Sequence, residues 1–132
     1  MIAYSNWPII KKVMEMSDII KGTDPRGIKI NCSHKHFEEH IIECSGHTIM
    51  RENVDSVKRT IENPDRIFQD KDHHDRDIYF KADKDATYYC YGQQTKVVVA
   101  IGGGYGEIVT TYNVKQSKYP GTIGEAKYNA KL

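Results

Sequence analysis

Apolar residues recur at two different periods along the chain, and the change of period divides it into halves. Ile10, Val13, Met14 and Ile20 fall at helical spacing. Asn6 can cap that helix, Pro8 sits in its first turn where a missing amide costs nothing, and Lys21-Gly22 supplies a basic end and a stop. The first predicted helix therefore runs from Asn6 to Gly22. "GIKINC", Gly27 to Cys32, alternates in strand fashion with Ile28 and Ile30 on one face. Ser33 can cap a second helix reaching Cys44, with Phe37, Ile41 and Ile42 as its stripe and Ser45-Gly46 as its end. A third helix fits "TIMRENVDSVKRTIENPD", where Val54, Val57 and Ile61 share a face and Asn63-Pro64-Asp65 forbids continuation. A loop of Asp, His and Arg follows.

The second half turns to β-branched and aromatic residues separated by turn residues: "DIYFKA", "TYYCYG", "KVVVAIG" and "GEIVTTYNV". "GGGYG", Gly102 to Gly106, joins two of these strands and reads as a hairpin turn; it matches neither G-x-G-x-x-G nor a P-loop. Helices followed by an antiparallel meander predict an α+β fold, with N-terminal helices packed on a four-stranded antiparallel sheet. One domain is expected: a helical extension over 1–26, a core over 27–115 and a basic tail over 116–132.

Composition narrows the class. A charge of +1 over 132 residues gives no global attraction to nucleic acid. Its distribution is uneven: Glu62 to Asp77 is acidic, while Lys115, Lys118, Lys127 and Lys131 face only Glu125 in the tail. No segment approaches the ~20 apolar residues of a membrane span, and the first residues lack a secretory leader's pattern. A cytoplasmic chain, or a domain cut from a larger one, is expected. Cys32, Cys44 and Cys90 form no C-x-x-C pair, so reduced thiols are expected.

Candidate chemistry concentrates in "CSHKHFEEHIIECSGH", Cys32 to His47, which holds four of the six histidines. "HFEEH", His36 to His40, spells the H-x-x-E-H of inverted zinc peptidases, with both histidines on one helical face and Glu39 as a would-be general base. A third ligand is wanting except for isolated residues such as Glu107. A structural zinc drawn from Cys32, His34, His36, His40 and Cys44 matches no finger or ribbon spacing. Metal is the weaker reading, and none is assigned.

The order of elements supplies a second reading. A strand leads to a helix bearing His40-Ile41, with His47 shortly after; then come a helix ending in "ENPD", a strand "IYFK", a strand "VVVAI" and a last strand "IVTTY". This order, from Gly27 to Lys115, resembles the phage-type branch of the barnase–EndoU–colicin–RelE-like nucleases. The resemblance implies metal-independent cleavage of RNA without a cofactor, by a toxin or a phage or mobile-element effector. The ribose 2′-hydroxyl attacks the adjacent phosphate and leaves a 2′,3′-cyclic phosphate. Histidine suits the two proton transfers because its pKa lies near working pH, and cationic and hydroxyl donors suit the phosphorane.

Carried over residue by residue, the resemblance implies acid–base roles for His40 and His47 and phosphate binding by Thr110. Tyr112 lies on the same strand face as Thr110. Lys81 projects opposite Phe80, on the outer, RNA-facing side if Phe80 is core. Arg76, His36 and Lys115 are candidate RNA contacts. One departure is local: the family often has a basic residue and a proline around the second histidine, where this chain reads Ser45-Gly46-His47-Thr48. A toxic ribonuclease also implies an immunity or antitoxin partner. The bland alternatives are solvated histidines, a threonine that merely favours strand, and a Lys81 that guards a sheet edge. Tyr79, Tyr88, Tyr89 and Tyr91 could stack bases or simply pack. A non-catalytic interaction module is the competing functional class.

Overall fold

The structure is a computed structural model that describes residue 9 and residues 17–44, 46–87, 92–115 and 123–130. The expected helix start around Asn6 and Pro8, the strand residues Tyr88 to Tyr91, and Ser45 lie outside the described residues. Among the described residues seven strands form one sheet: β1 (Asp18–Thr23), β2 (Lys29–Ser33), β3 (Arg66–Asp70), β4 (Arg76–Lys81), β5 (Gln93–Gly102), β6 (Tyr105–Lys115) and β7 (Ile123–Asn129). Their spatial order is β1-β2-β6-β5-β4-β3-β7. β2 and β6 run parallel; every other neighbouring pair is antiparallel.

This corrects the expected architecture of N-terminal helices on a four-stranded antiparallel sheet: the sheet is seven-stranded and mixed, and the helices are short. Asp18–Thr23, expected to end the first helix, is an edge strand paired with β2. Arg66–Asp70, expected as loop, is β3, and Ile123–Asn129 of the expected tail is β7 paired with it. In each case the ladder partner satisfies the backbone, whatever the local sequence prefers. β7 is exposed along most of its length, as edge strands tend to be.

Between β2 and β3 lie the helical elements. One α-turn, His34–His36, runs straight into a π-helix, Phe37–Cys44; together these are α1. Ser33 does cap it, its Oγ accepting from the His36 amide at 3.1 Å. The i→i+5 winding suits the sequence, because it turns the adjacent Ile41 and Ile42 inward along with Phe37. A 3₁₀ segment, Thr48–Glu52, leads to α2, Val54–Glu62, which ends at Asn63 before Pro64 as its sequence demands.

The helices cover one face of the sheet. Phe37, Ile41, Ile42, Met50, Val57 and Ile61 pack there against Ile30, Ile67, Tyr79, Val97, Val99 and Ile108. Each such side chain is worth ~1.5–3 kcal/mol of transfer free energy. The opposite, outer face carries a smaller cluster of Ile78, Phe80 and Val98, with Phe68, Val109, Val114 and Ile123 against it. β5 therefore reads apolar on both faces, as a central strand should. The turn before β2 is tied to β4 by Arg26, whose guanidinium meets Asp24 and Asp77, each at 2.9 Å. The buried Tyr79 hydroxyl donates to Asp24 at 2.6 Å, and burial together with that carboxylate pushes its ionisation far up. Among the described residues, no helix is long and apolar enough to cross a membrane.

Candidate functional site

The site is set by an irregularity in the β5–β6 hairpin. Its turn uses Gly103 and Gly104 at φ 60° and 81°, a conformation suited to glycine and to a tight two-residue hairpin. From there the strands pair regularly, Gly102 with Tyr105 through Val99 with Ile108. The next pair is Val98 with Thr110, so Val109 is an extra residue on β6. Such a bulge changes which side the following residues face. Without it, Thr110 and Tyr112 would point into the helix-covered core. With it, they stand opposite Val98 and Lys96 on the outer face.

Among the described residues β2 pairs with β6 at Tyr105, Gly106 and Glu107, and no strand pairs with the later part of β6 on that edge. α1 and the loop after it fill that gap. The His36 ring donates from Nε2 to the Val109 carbonyl at 2.9 Å, pinning the bulge to the helix. His40 stacks on His36 with ring centroids 4.9 Å apart. His47 begins the 3₁₀ segment, its amide bonded to the Ile41 carbonyl at 3.2 Å. Its Nδ1 faces Thr110 Oγ1 at 3.4 Å, and its ring lies 4.7 Å from the Tyr112 ring.

Behind Tyr112 sits Lys96, which sequence reasoning missed. Its side chain is buried, 4% exposed, and Nζ donates to the Tyr112 hydroxyl at 2.7 Å. No ion pair to Lys96 occurs among the described residues. A buried ammonium is expensive to keep unless charge or polar groups answer it. Here the Tyr112 hydroxyl and the face of the Tyr112 ring, 4.9 Å from Nζ to its centroid, answer it, and Phe80 of the outer apolar cluster stands opposite on β4. The signal was present in "KVVVAIG": Lys96 shares the strand face of Val98 and Ala100. The bulge that puts it opposite Tyr112 has no sequence marker.

The remaining expected residues separate. Lys81 lies apart: its Nζ donates to the Asn63 carbonyl at 2.9 Å at the end of α2, and it pairs with Thr95, which faces α2. Phe80 belongs to the outer cluster, so the inference that Lys81 is its outer-face opposite is reversed. Arg76 does face outward, in line with Ile78 and Phe80, and its Nε is buried without a partner. Lys115 is exposed at the far end of β6, opposite Gln93. Tyr79 is core, not a stacking surface. Among the described residues no group of three or more His, Cys, Asp or Glu side chains is arranged to hold a metal.

The chain matches no family model, no curated protein and no solved structure.

Proposed function

We propose that this protein is a metal-independent ribonuclease acting at the His47–Thr110–Tyr112–Lys96 cluster, a toxin or a phage or mobile-element effector. The observation that carries the reading is the convergence, on one outer patch, of an imidazole, a threonine hydroxyl, a phenol and a buried ammonium. Those are the groups that transesterification of a phosphodiester needs.

In this reading His47 accepts the ribose 2′-proton as the 2′-oxygen attacks phosphorus. Thr110 donates to a non-bridging oxygen. Tyr112 passes its hydroxyl proton to the departing 5′-oxygen as the P–O5′ bond breaks. Lys96 already donates to the Tyr112 oxygen, so it leaves that proton free to go and stabilises the phenolate that remains. The products are a 2′,3′-cyclic phosphate and a 5′-hydroxyl; His47 then returns its proton through solvent. His40 and Arg76 contribute RNA contacts from the rim. Such an enzyme works in a cytoplasm and requires an immunity or antitoxin protein in the cell that makes it.

The test is cleavage of end-labelled RNA in EDTA by the native protein and by His47→Ala, Tyr112→Phe and Thr110→Ala. Loss of about 10²–10⁴-fold in rate is expected for His47→Ala, with cyclic-phosphate ends on the native products. Absence of cleavage across a broad RNA set, or undiminished cleavage by folded His47→Ala, would sink the proposal. Binding of RNA or protein without cleavage would turn the reading to an interaction module.

A further inference from the structure

Two open depressions on the outer face adjoin at Ala100 and Glu107, between the hairpin turn and the Val109 bulge. One, of about 470 Å³, is lined by Asn31, Ser33, His36, Glu107 and Val109 among others, where β2 leaves β6. The other, of about 290 Å³, is lined by Gly102, Tyr105 and Glu107 at the hairpin end. Both are lined by Ala100 and Glu107, so they adjoin at that cross-strand pair, one reaching toward Tyr105 and the other toward His36, and together are the groove meant below. Resting on the ribonuclease reading, we propose that this groove seats a nucleobase flanking the scissile phosphate, stacked on Tyr105 and read by Glu107.

Four features of the groove lead there. Tyr105 is a large aromatic residue left 64% exposed at one end. Gly102 stands opposite it and Ala100 opposite Glu107, giving a floor almost without side chains on which a flat ring can lie. Among the described residues no lysine or arginine lines either depression, while Glu107 and Asp18 are carboxylates. A phosphate is therefore repelled and a neutral base is not. Finally, Arg76 lies in the same cross-strand row, opposite Ala100 on its other side, with its buried Nε unpartnered. It supplies the backbone contact that the groove itself lacks.

The spacing fits. Tyr105 and Thr110 face Gly102 and Val98, four strand steps apart. That is roughly 14 Å, a distance that a nucleotide or two of extended strand can cover. Glu107 decides the class of base. A carboxylate accepts from the exocyclic amino groups of adenine, cytosine or guanine, as it does from cytosine's in DNA recognition. Uracil and thymine offer a lone N–H between two carbonyl oxygens, which the carboxylate repels. The groove accordingly selects amino-bearing bases over uracil.

Short deoxyribonucleotides test this without catalysis, since they lack the attacking hydroxyl. Trideoxyadenylate and trideoxythymidylate are titrated into the native protein, Tyr105→Ala and Glu107→Gln, reading Kd and the amide resonances of Gly102, Gly104 and Gly106. The adenylate is expected to bind about ten-fold tighter and to shift those glycines. Tyr105→Ala should weaken it about ten-fold, within the range of one lost stacking contact, and Glu107→Gln should close the gap between the two oligonucleotides. Equal native affinities, an unaffected Tyr105→Ala, or shifts confined elsewhere would each overturn the proposal. Selective binding by a protein that cleaves no RNA would sink the catalytic reading and leave the groove; cleavage with no base preference would do the reverse.

Discussion

Lys96 and Tyr112 stand directly opposite each other on β5 and β6, and the ammonium of one donates to the hydroxyl of the other at 2.7 Å. The relationship exists because Val109 adds one residue to β6, and it places a buried cation against the ring that His47 touches.

If Lys96 serves the reaction, replacing it should separate activity from stability. Lys96→Met exchanges a buried charge for an apolar chain of similar length, a change that is often neutral or stabilising. Cleavage in single turnover should fall about 10²–10³-fold, while the urea midpoint holds or rises. Unchanged cleavage with a lowered midpoint would make Lys96 a structural residue.

Lys81 should behave in the opposite way. Its contact is the Asn63 carbonyl, at the negative end of α2. Lys81→Met is expected to cost about 0.5 kcal/mol, within the span for a helix-terminal cation, measured by urea unfolding, and to leave the cleavage rate within two-fold, roughly the scatter expected of a surface substitution. A large loss of rate would return Lys81 to the site.

Asp83 should govern part of the acid sensitivity. Burial alone would raise its pKa, but Arg59 at 2.7 Å, together with Ser56 and the Asp85 amide, holds it below the usual aspartate value. A depressed carboxylate contributes stability that is present above its unfolded pKa, near 3.8, and is lost as the pH falls through the folded value. Asp83→Asn should therefore lower stability at pH 7 and flatten its decline below pH ~4. Parallel curves for variant and native protein would refute the linkage.

The thiols should differ in reach and in pH. Cys44 is exposed, whereas Cys32 is 3% exposed and its thiol is pushed up to about 12 by burial, then by the carboxylates of Asp18 and Glu107. At pH 8 iodoacetamide should label Cys44 well before Cys32, resolved by peptide mass spectrometry. Because the folded value is raised, the stability linked to Cys32 is complete below about 9 and is lost as pH climbs toward 12. Equal labelling of Cys32 and Cys44 would contradict the buried position of Cys32.

Local chemistry in the chain already determined several elements. The period of Val57 and Ile61 and the stop at Pro64 define α2, Ser33 caps α1, and the glycines before Tyr105 turn a hairpin. These depend on neighbours within a few residues, where propensity, capping and turn geometry act. His47, Thr110 and Tyr112 were singled out from the sequence, but their proximity is a matter of the tertiary structure.

Only the tertiary structure decided the rest. "DIIKGT", "RIFQD" and "IGEAKYN" carry weak or ambiguous periodicity and become β1, β3 and β7 because a neighbouring strand takes up their backbone hydrogen bonds. The bulge at Val109 is likewise a property of the ladder. One residue more on β6 than on β5 turns Thr110 and Tyr112 outward, brings Lys96 to them and leaves Lys81 on the other face. Side-chain direction in a strand depends on register, and register is fixed by long-range pairing.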